Sequence, residues 1–223
     1  MTSEDLSAIG LSLAVAMAST IAVVTLGLPI AWFITKRPFR GSSLVVAFSS
    51  LPLVLPPTVT GYILLEIFGR RALVGQFLEH HFGLVIVFHW TGAVLAAAVT
   101  SFPLFFLSAR SAFESVDPDF EQVARLMGCS EWSVFFRVTL PLSLRGLVSG
   151  VVLGFVRAMG EFGATLMVAG NIPGRTRTAA LALYDATVLG ESAKARSLVA
   201  VLGFVAVAAI WFTSRKPSAG GRL

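Results

Sequence analysis

The sequence is poor in charged side chains, which make up only 13% of its 223 residues, whereas hydrophobic residues make up 56%. The mean hydropathy is +0.83. A soluble domain of this length needs far more polar surface than these residues supply. The composition therefore excludes a soluble enzyme or binding protein and indicates an integral membrane protein.

Motifs for common chemistry are also missing. The one cysteine, Cys129, excludes an internal disulfide and a cysteine-based metal cluster. His80, His81 and His89 have no carboxylate or cysteine at metal-ligand spacing. The sequence has no phosphate-binding loop, no zinc helix of the His-Glu-x-x-His type, no nucleophile elbow and no basic stripe with interleaved aromatics. We therefore expect a non-enzyme that binds no cofactor, no metal and no nucleic acid.

Long apolar runs dominate what is present. A spanning helix needs about 20 mostly apolar residues, and five segments meet or approach this length: 6–35, 41–65, 80–109, 146–174 and 197–214. A shorter helix is predicted at 176–189, ending at Gly190, and it could be a loop, a dip into the membrane or a span. The predicted fold is an all-α polytopic membrane protein with one domain, 6–214, and a short basic cytoplasmic tail, 215–223.

The loop charges predict the orientation. Ten lysines and arginines fall on the side of the first and third loops and the tail, against six on the other side. Because positive loops stay in the cytoplasm, this favours the N-terminus outside and the C-terminus inside. The six outer charges could attract an anionic substrate or contact lipid headgroups; they are Arg70, Arg71, Arg175, Arg177, Lys194 and Arg196.

A polar, helix-patterned insert at 117–141 separates two apolar segments. Asp117 is a good N-cap with Pro118 at the first helical position, and Gly128 ends that helix. Ser130 caps a second helix predicted at 131–138, so the insert reads as a helical elbow. Its large apolar side chains predict either docking into a groove of a partner or contact with lipid headgroups or with the chain's own spans.

The spacing within this insert resembles the EAA motif of ABC-importer permeases. That family pattern is Glu-Ala-Ala, three residues, Gly, nine residues, and Ile-x-Leu-Pro. Ala124, Gly128, Leu140 and Pro141 match it, whereas Gln122 stands at the glutamate position. The resemblance implies that the elbow is the coupling helix and that these residues couple it to an ATPase: Glu121, Gln122, Ala124, Met127, Gly128, Trp132, Phe135, Leu140 and Pro141.

The resemblance extends over nearly the whole chain. Segments 51–61, 90–98, 101–103 and 160–165 are similar to the permease subunit of molybdate ABC importers. This implies a homodimer in the bacterial inner membrane, two cytosolic subunits that bind ATP-Mg, and a periplasmic oxyanion-binding protein. It also implies translocation of molybdate or tungstate by alternating access, with sulfate or thiosulfate as the alternative substrate.

Polar or helix-breaking residues within the spans are candidates for the substrate path. Prolines free backbone carbonyls, and broken helices supply ligands in transporters, although the prolines could equally kink a packed helix. Intramembrane charges more often face a cavity than lipid, yet this arginine–glutamate pair could be structural, or the arginine could snorkel. The glycines predict close packing or a gate. The candidates are Pro56, Pro57, Thr58, Thr60, Gly61, Arg157, Gly160, Glu161 and Gly163, with Arg70 and Arg71 at the outer mouth, where they could receive an anion, hold the binding protein or anchor the membrane surface.

A self-contained carrier or channel is the rival class. It predicts transport by the purified chain alone and several titratable groups within the spans, where only Arg157 and Glu161 are clear. An intramembrane enzyme needs a nucleophile and base pair, and none is evident.

Overall fold

A computed structural model of the protein describes residues 2–37 and 39–214; the predicted tail at 215–223 lies outside the described residues. A π-helical turn, Phe135–Thr139, joins the helices Glu131–Val134 and Leu140–Met159 directly. In chain order the helices are α1 Ser3–Lys36, α2 Ser42–Val54, α3 Pro57–Phe68, α4 Leu73–Phe82, α5 Trp90–Glu114, α6 Pro118–Leu126, α7 Glu131–Val134, α8 Leu140–Met159, α9 Gly163–Ala169, α10 Ala179–Val188 and α11 Ser192–Ser214.

Within residues 2–37 and 39–214, four helical stretches are long and apolar enough to cross a membrane, and a bent pair of helices raises the number to five if it forms one span. They are α1, α5, the continuous path Glu131–Met159 and α11, with α2 and α3 as the bent pair. The expectation of an all-α fold with about five spans is confirmed. The centre of the bundle lies where α5 packs against α1 and α8, around the fully buried rings of Phe105, Phe106 and Phe113.

Three predicted spans have different bounds. The segment predicted at 41–65 is two helices bent by 115°, because Pro56 and Pro57 cannot donate to the carbonyls of the preceding turn. The span predicted from residue 80 begins at Trp90, since α4 ends at Gly83, whose φ of +64° is left-handed. The prediction of 146–174 as one span was wrong at both ends. Helix α8 begins at Leu140 and stops at Met159, and α9 follows after a break.

The short helix predicted at 176–189 is α10, Ala179–Val188, with Gly190 just beyond it at φ +72°. Helix α10 packs against α11 and α1. The first backbone N–H of α10, at Ala179, donates to the buried Ser12 hydroxyl of α1 at 2.7 Å. This bond satisfies a donor that would otherwise be unpaired at the helix start.

Candidate coupling elbow and translocation path

The elbow begins with α6, whose N-cap Asp117 accepts a hydrogen bond from the backbone N–H of Asp119 at 3.0 Å. Gly128 has φ +82°, a conformation that most other residues adopt only with strain, and it turns the chain between α6 and α7. The Ser130 hydroxyl caps α7 by accepting from Ser133 N–H. The predicted pair of helices is therefore present, but the second continues through the π turn into α8 without a break.

The elbow presents apolar side chains that the chain's own bundle does not cover. Leu126 and Met127 are 87% and 79% exposed. Since exposed apolar patches on a polar helical surface mark interaction sites, we call this set the apolar elbow face: Phe120, Val123, Leu126, Met127, Trp132 and Phe136.

The residues that the family pattern assigns to coupling fall into three groups by burial. Those that reach solvent are Gln122, Met127, Gly128, Trp132 and Pro141, while Ala124 and Leu140 are partly covered. Glu121 and Phe135 are instead buried. The Phe135 ring packs edge-on against Trp32 of α1, with ring centroids 5.1 Å apart. In the isolated chain, Glu121 and Phe135 therefore hold the elbow against the spanning helices.

Glu121 is the centre of a buried polar cluster. Its Oε1 atom lies 2.8 Å from Lys36 Nζ at the end of α1 and accepts a 2.7 Å hydrogen bond from the Thr139 hydroxyl of the π turn. Arg125 lies 3.6 Å from the other oxygen and binds Glu131 at 2.8 Å. This bond to Glu131 raises the pKa of Arg125, which stays charged. The cluster borders a cavity of about 280 Å³.

Sequence reasoning missed Lys36 and Thr139 as members of this cluster. Lys36 counted only among the ten charges of the first and third loops and the tail, and Thr139 stood at the unspecified position before Leu140 in the family pattern. The available signal was the position of Thr139 directly before α8, because a hydroxyl that becomes buried there needs a hydrogen-bond partner from another element.

Several of the predicted substrate-path residues lie where α3 packs against α9. A Cβ atom added to Gly61 would lie 2.8 Å from the Cα of Ala164, and one added to Gly163 would lie 3.0 Å from the Cβ of Pro57. Both glycines therefore permit backbones to approach more closely than any side chain allows. The packing role predicted for Gly163 fits this geometry. Gly160 instead lies in the break that separates α8 from α9, with no neighbouring helix within 4 Å of an added Cβ.

The ionisable pair lies at the same break. Arg157 Nη1 is 2.7 Å from Glu161 Oε2, and the arginine side chain is 28% exposed whereas the glutamate is buried. Glu161 Oε1 accepts a 2.8 Å hydrogen bond from the backbone N–H of Ala164 in the first turn of α9. The Glu161 carboxylate therefore accepts from a backbone N–H that has no partner within α9, and its negative charge is stabilised by the positive end of the helix dipole.

The two threonines of α3 have different surroundings. Thr58 is exposed, as are Pro56 and Pro57. Thr60 is 5% exposed, and its hydroxyl has no hydrogen-bond partner. A buried hydroxyl without a partner is unfavourable by about 1–3 kcal/mol. The Thr60 hydroxyl therefore makes no hydrogen bond within the chain.

Two of the six predicted outer charges are neutralised within the chain. Arg177 lies 3.1 Å from Asp185 and also donates to Asn171, and Lys194 lies 3.3 Å from the buried Asp5. Sequence reasoning did not find these partners. Arg177 lies in a loop eight positions before Asp185 of α10, and Lys194 and Asp5 lie far apart along the chain, so neither pair has the spacing of neighbours on one helix. Arg70 and Arg71 are exposed in the turn between α3 and α4.

In the described residues, 2–37 and 39–214, no group of three histidine, cysteine, aspartate or glutamate side chains is placed to hold a metal ion. The two regions differ in the groups that they present. One is an apolar face on a helical elbow, and the other is a crossing of two broken helices lined by hydroxyls and one ion pair.

Comparison with solved structures defines the class. The fold matches an inward-facing MetNI methionine ABC transporter with a TM-score of 0.73, covering 96% of this chain and 97% of that chain at 16% identity. It matches a bacterial ABC transporter for the acidic polysaccharide alginate with a TM-score of 0.75, covering 96% and 79% at 14% identity. The fold is that of an ABC type I importer permease.

The sequence comparisons define the family. Residues 8–214 match the family described as the binding-protein-dependent transport system inner membrane component, and the chain belongs to it. It is 47% identical over 181 residues to the molybdenum transport system permease protein ModB of Haemophilus influenzae, covering 81% of this chain and 79% of that protein. It is 46% identical over 198 residues to ModB of Escherichia coli K12, covering 88% and 86%. The sulfate transport system permease protein CysT of Escherichia coli K12 is 35% identical over 158 residues, covering 71% and 57%.

Proposed function

We propose that this chain is the membrane-spanning permease of an ATP-driven importer of molybdate or tungstate. The observation that carries the proposal is the apolar elbow face, which stands on a continuous helical path into the membrane and which the chain's own bundle does not cover. The assignment to an oxyanion importer rests on relatives named as molybdenum permeases, at 46–47% identity over most of the chain.

The permease works as a homodimer with two cytosolic subunits that bind ATP-Mg and hydrolyse it. The apolar elbow face docks into a groove of the ATP-hydrolysing subunit, as an apolar helix face docks generally. A periplasmic binding protein delivers the oxyanion, and its acidic surface meets the exposed Arg70 and Arg71. Residues 6–214 form one domain in the bacterial inner membrane, with the N-terminus outside and the elbow, C-terminus and basic tail in the cytoplasm.

Alternating access arises from the two breaks in helices. Pro56, Pro57 and Thr58 are exposed, which supports a path between two copies rather than within one. The oxyanion passes the amino end of α3, where the exposed Thr58 hydroxyl binds it weakly enough for release. Closure of the ATP-hydrolysing subunits moves the elbow, and the spanning helices tilt with it.

Copurification in detergent tests the class. We expect the full chain, expressed with the products of its neighbouring genes, to be recovered with an ATPase that has a phosphate-binding loop. Recovery of a chain that transports solute alone contradicts the proposal and supports a self-contained carrier or channel. The substrate is then identified by adding each oxyanion with its binding protein and measuring which one stimulates the ATPase activity.

Sulfate or thiosulfate is the second candidate substrate, because the chain is also similar to a sulfate permease. Stimulation by sulfate at concentrations where molybdate has no effect selects this alternative.

A further inference from the structure

We infer that Glu121 is a positioning residue that ties the coupling helix to two spanning helices, so that elbow movement reaches both together. This inference rests on the proposed function, because it concerns how the same permease transmits work. It assigns Glu121 a role inside the permease, distinct from contact with the ATP-hydrolysing subunit.

The geometry shows one carboxylate shared among three elements. Glu121 belongs to α6, Lys36 is the last residue of α1, and Thr139 is the last residue of the π turn. The two bonds to Glu121 Oε1 measure 2.8 and 2.7 Å. Movement of α6 away from either partner would break a charged hydrogen bond, so the three elements are restrained to move as one body.

Burial separates this contact from ordinary surface ion pairs. Glu121 is 4% exposed, and its side chain faces the chain's own helices rather than the apolar elbow face. Buried charges are screened little by salt, and removing one partner leaves the other unpaired. The pair Arg110–Glu114, at 2.7 Å, is of similar length but is exposed at both partners, with side-chain exposures of 35% and 49%. Glu114 is therefore a matched control for Glu121.

The π turn gives the contact a second consequence. Such turns are rare, hold one extra residue in the helical path and are frequent at functional sites. Here the turn joins the elbow to α8, and Leu140 N–H bonds back to Phe135 C=O across it. Thr139 is 1% exposed, and its hydroxyl donates to Glu121. The carboxylate therefore holds the π turn in this hydrogen-bonding register. When the elbow is displaced, the turn does not rearrange, and α8 moves together with the elbow.

The test uses the full transporter in proteoliposomes with its ATPase and binding protein, and measures molybdate uptake and ATP hydrolysis in parallel. We expect E121Q, T139V and K36M each to raise the ATP hydrolysed per molybdate imported, by about tenfold or more for E121Q, since hydrogen bonds to charged groups are the stronger class. The amount of ATPase that copurifies stays unchanged. K36R keeps the positive charge, so its ratio of ATP hydrolysed to molybdate imported is expected to lie closer to wild type than that of K36M. The control E114Q leaves this ratio at the wild-type value.

A ratio for E121Q and T139V equal to that of wild type overturns the inference, as does loss of the ATPase from the complex, which makes Glu121 a docking residue. If E121Q does not fold, the same ratio measured for T139V and K36M tests the inference, because each of these variants removes one bond to Glu121 and keeps the carboxylate. Failure of the proposed function looks different: wild type itself then shows no ATP-dependent uptake of molybdate.

Discussion

Replacing Gly61 with alanine tests whether the crossing of α3 and α9 is required for transport. The added Cβ would lie 2.8 Å from both the Cα of Ala164 and the Cβ of Met167. One of these atoms belongs to the backbone, so rotation of a side chain cannot relieve the contact. The two helices must separate by several tenths of an ångström or more.

Overpacking of this kind is unfavourable by about 1–3 kcal/mol. A shift of 1.4 kcal/mol changes an equilibrium about tenfold. We therefore expect Gly61→Ala to lower the thermal midpoint of the detergent-solubilised transporter and to reduce oxyanion uptake by about tenfold. Copurification of the ATPase stays at the wild-type level, because the apolar elbow face is unchanged.

Two other glycines provide matched controls. Gly10 in α1 and Gly203 in α11 have nothing within 4 Å of an added Cβ. Alanine there is expected to be neutral or slightly stabilising, by up to about 1 kcal/mol, because alanine restricts the unfolded chain and favours helix. Wild-type uptake and melting for Gly61→Ala, or equal losses for Gly10→Ala and Gly61→Ala, would refute the reasoning.

Three further variants test neighbouring parts of the account. Thr60→Val removes a buried hydroxyl without a partner, so it is expected to keep or raise the thermal midpoint while weakening oxyanion uptake; unchanged uptake removes Thr60 from the path. Glu161→Ala leaves Arg157 unpaired and Ala164 N–H without its acceptor, so its melting temperature should fall further than that of Glu161→Gln, which keeps an acceptor oxygen; equal melting contradicts the capping role. Leu126→Glu places a charge on the apolar elbow face at a side chain that is 87% exposed, and we expect loss of copurifying ATPase with unchanged melting, whereas retained ATPase argues against docking there.

Much of the fold follows from local patterns in the sequence. The apolar lengths predicted about five spans, and the caps at Asp117 and Ser130 with Gly128 between them predicted the elbow. Both predictions are local, since hydrophobic length and capping depend on residues within one or two turns. The separate helix α4 was missed because its ten residues are too few for a span. Its last residues were also counted as the start of the apolar segment predicted at 80–109.

The breaks in the spans were harder to place. The prolines at positions 56 and 57 signalled a bend, but its angle of 115° depends on packing against α9. The break after Met159 has no proline, and only Gly160 marked it. A glycine in an apolar helix indicates close packing as readily as a break, so the sequence left both readings open.

Side-chain contacts could be predicted from the sequence where the two residues are close along the chain. Arg157 and Glu161 are four residues apart and form the expected pair. The partners of Glu121 are 18 residues away at Thr139 and on a different helix at Lys36. Contacts of this range depend on tertiary packing, which hydrophobic periodicity does not encode.

Uptake of molybdate into proteoliposomes with ATP, in the presence and absence of the ATP-hydrolysing subunit, tests the central claim most directly. The account predicts uptake only when the permease, its ATPase, the loaded binding protein and ATP-Mg are all present, and loss of uptake when the ATPase is omitted. Equal uptake by the purified chain alone, with no nucleotide, would contradict it.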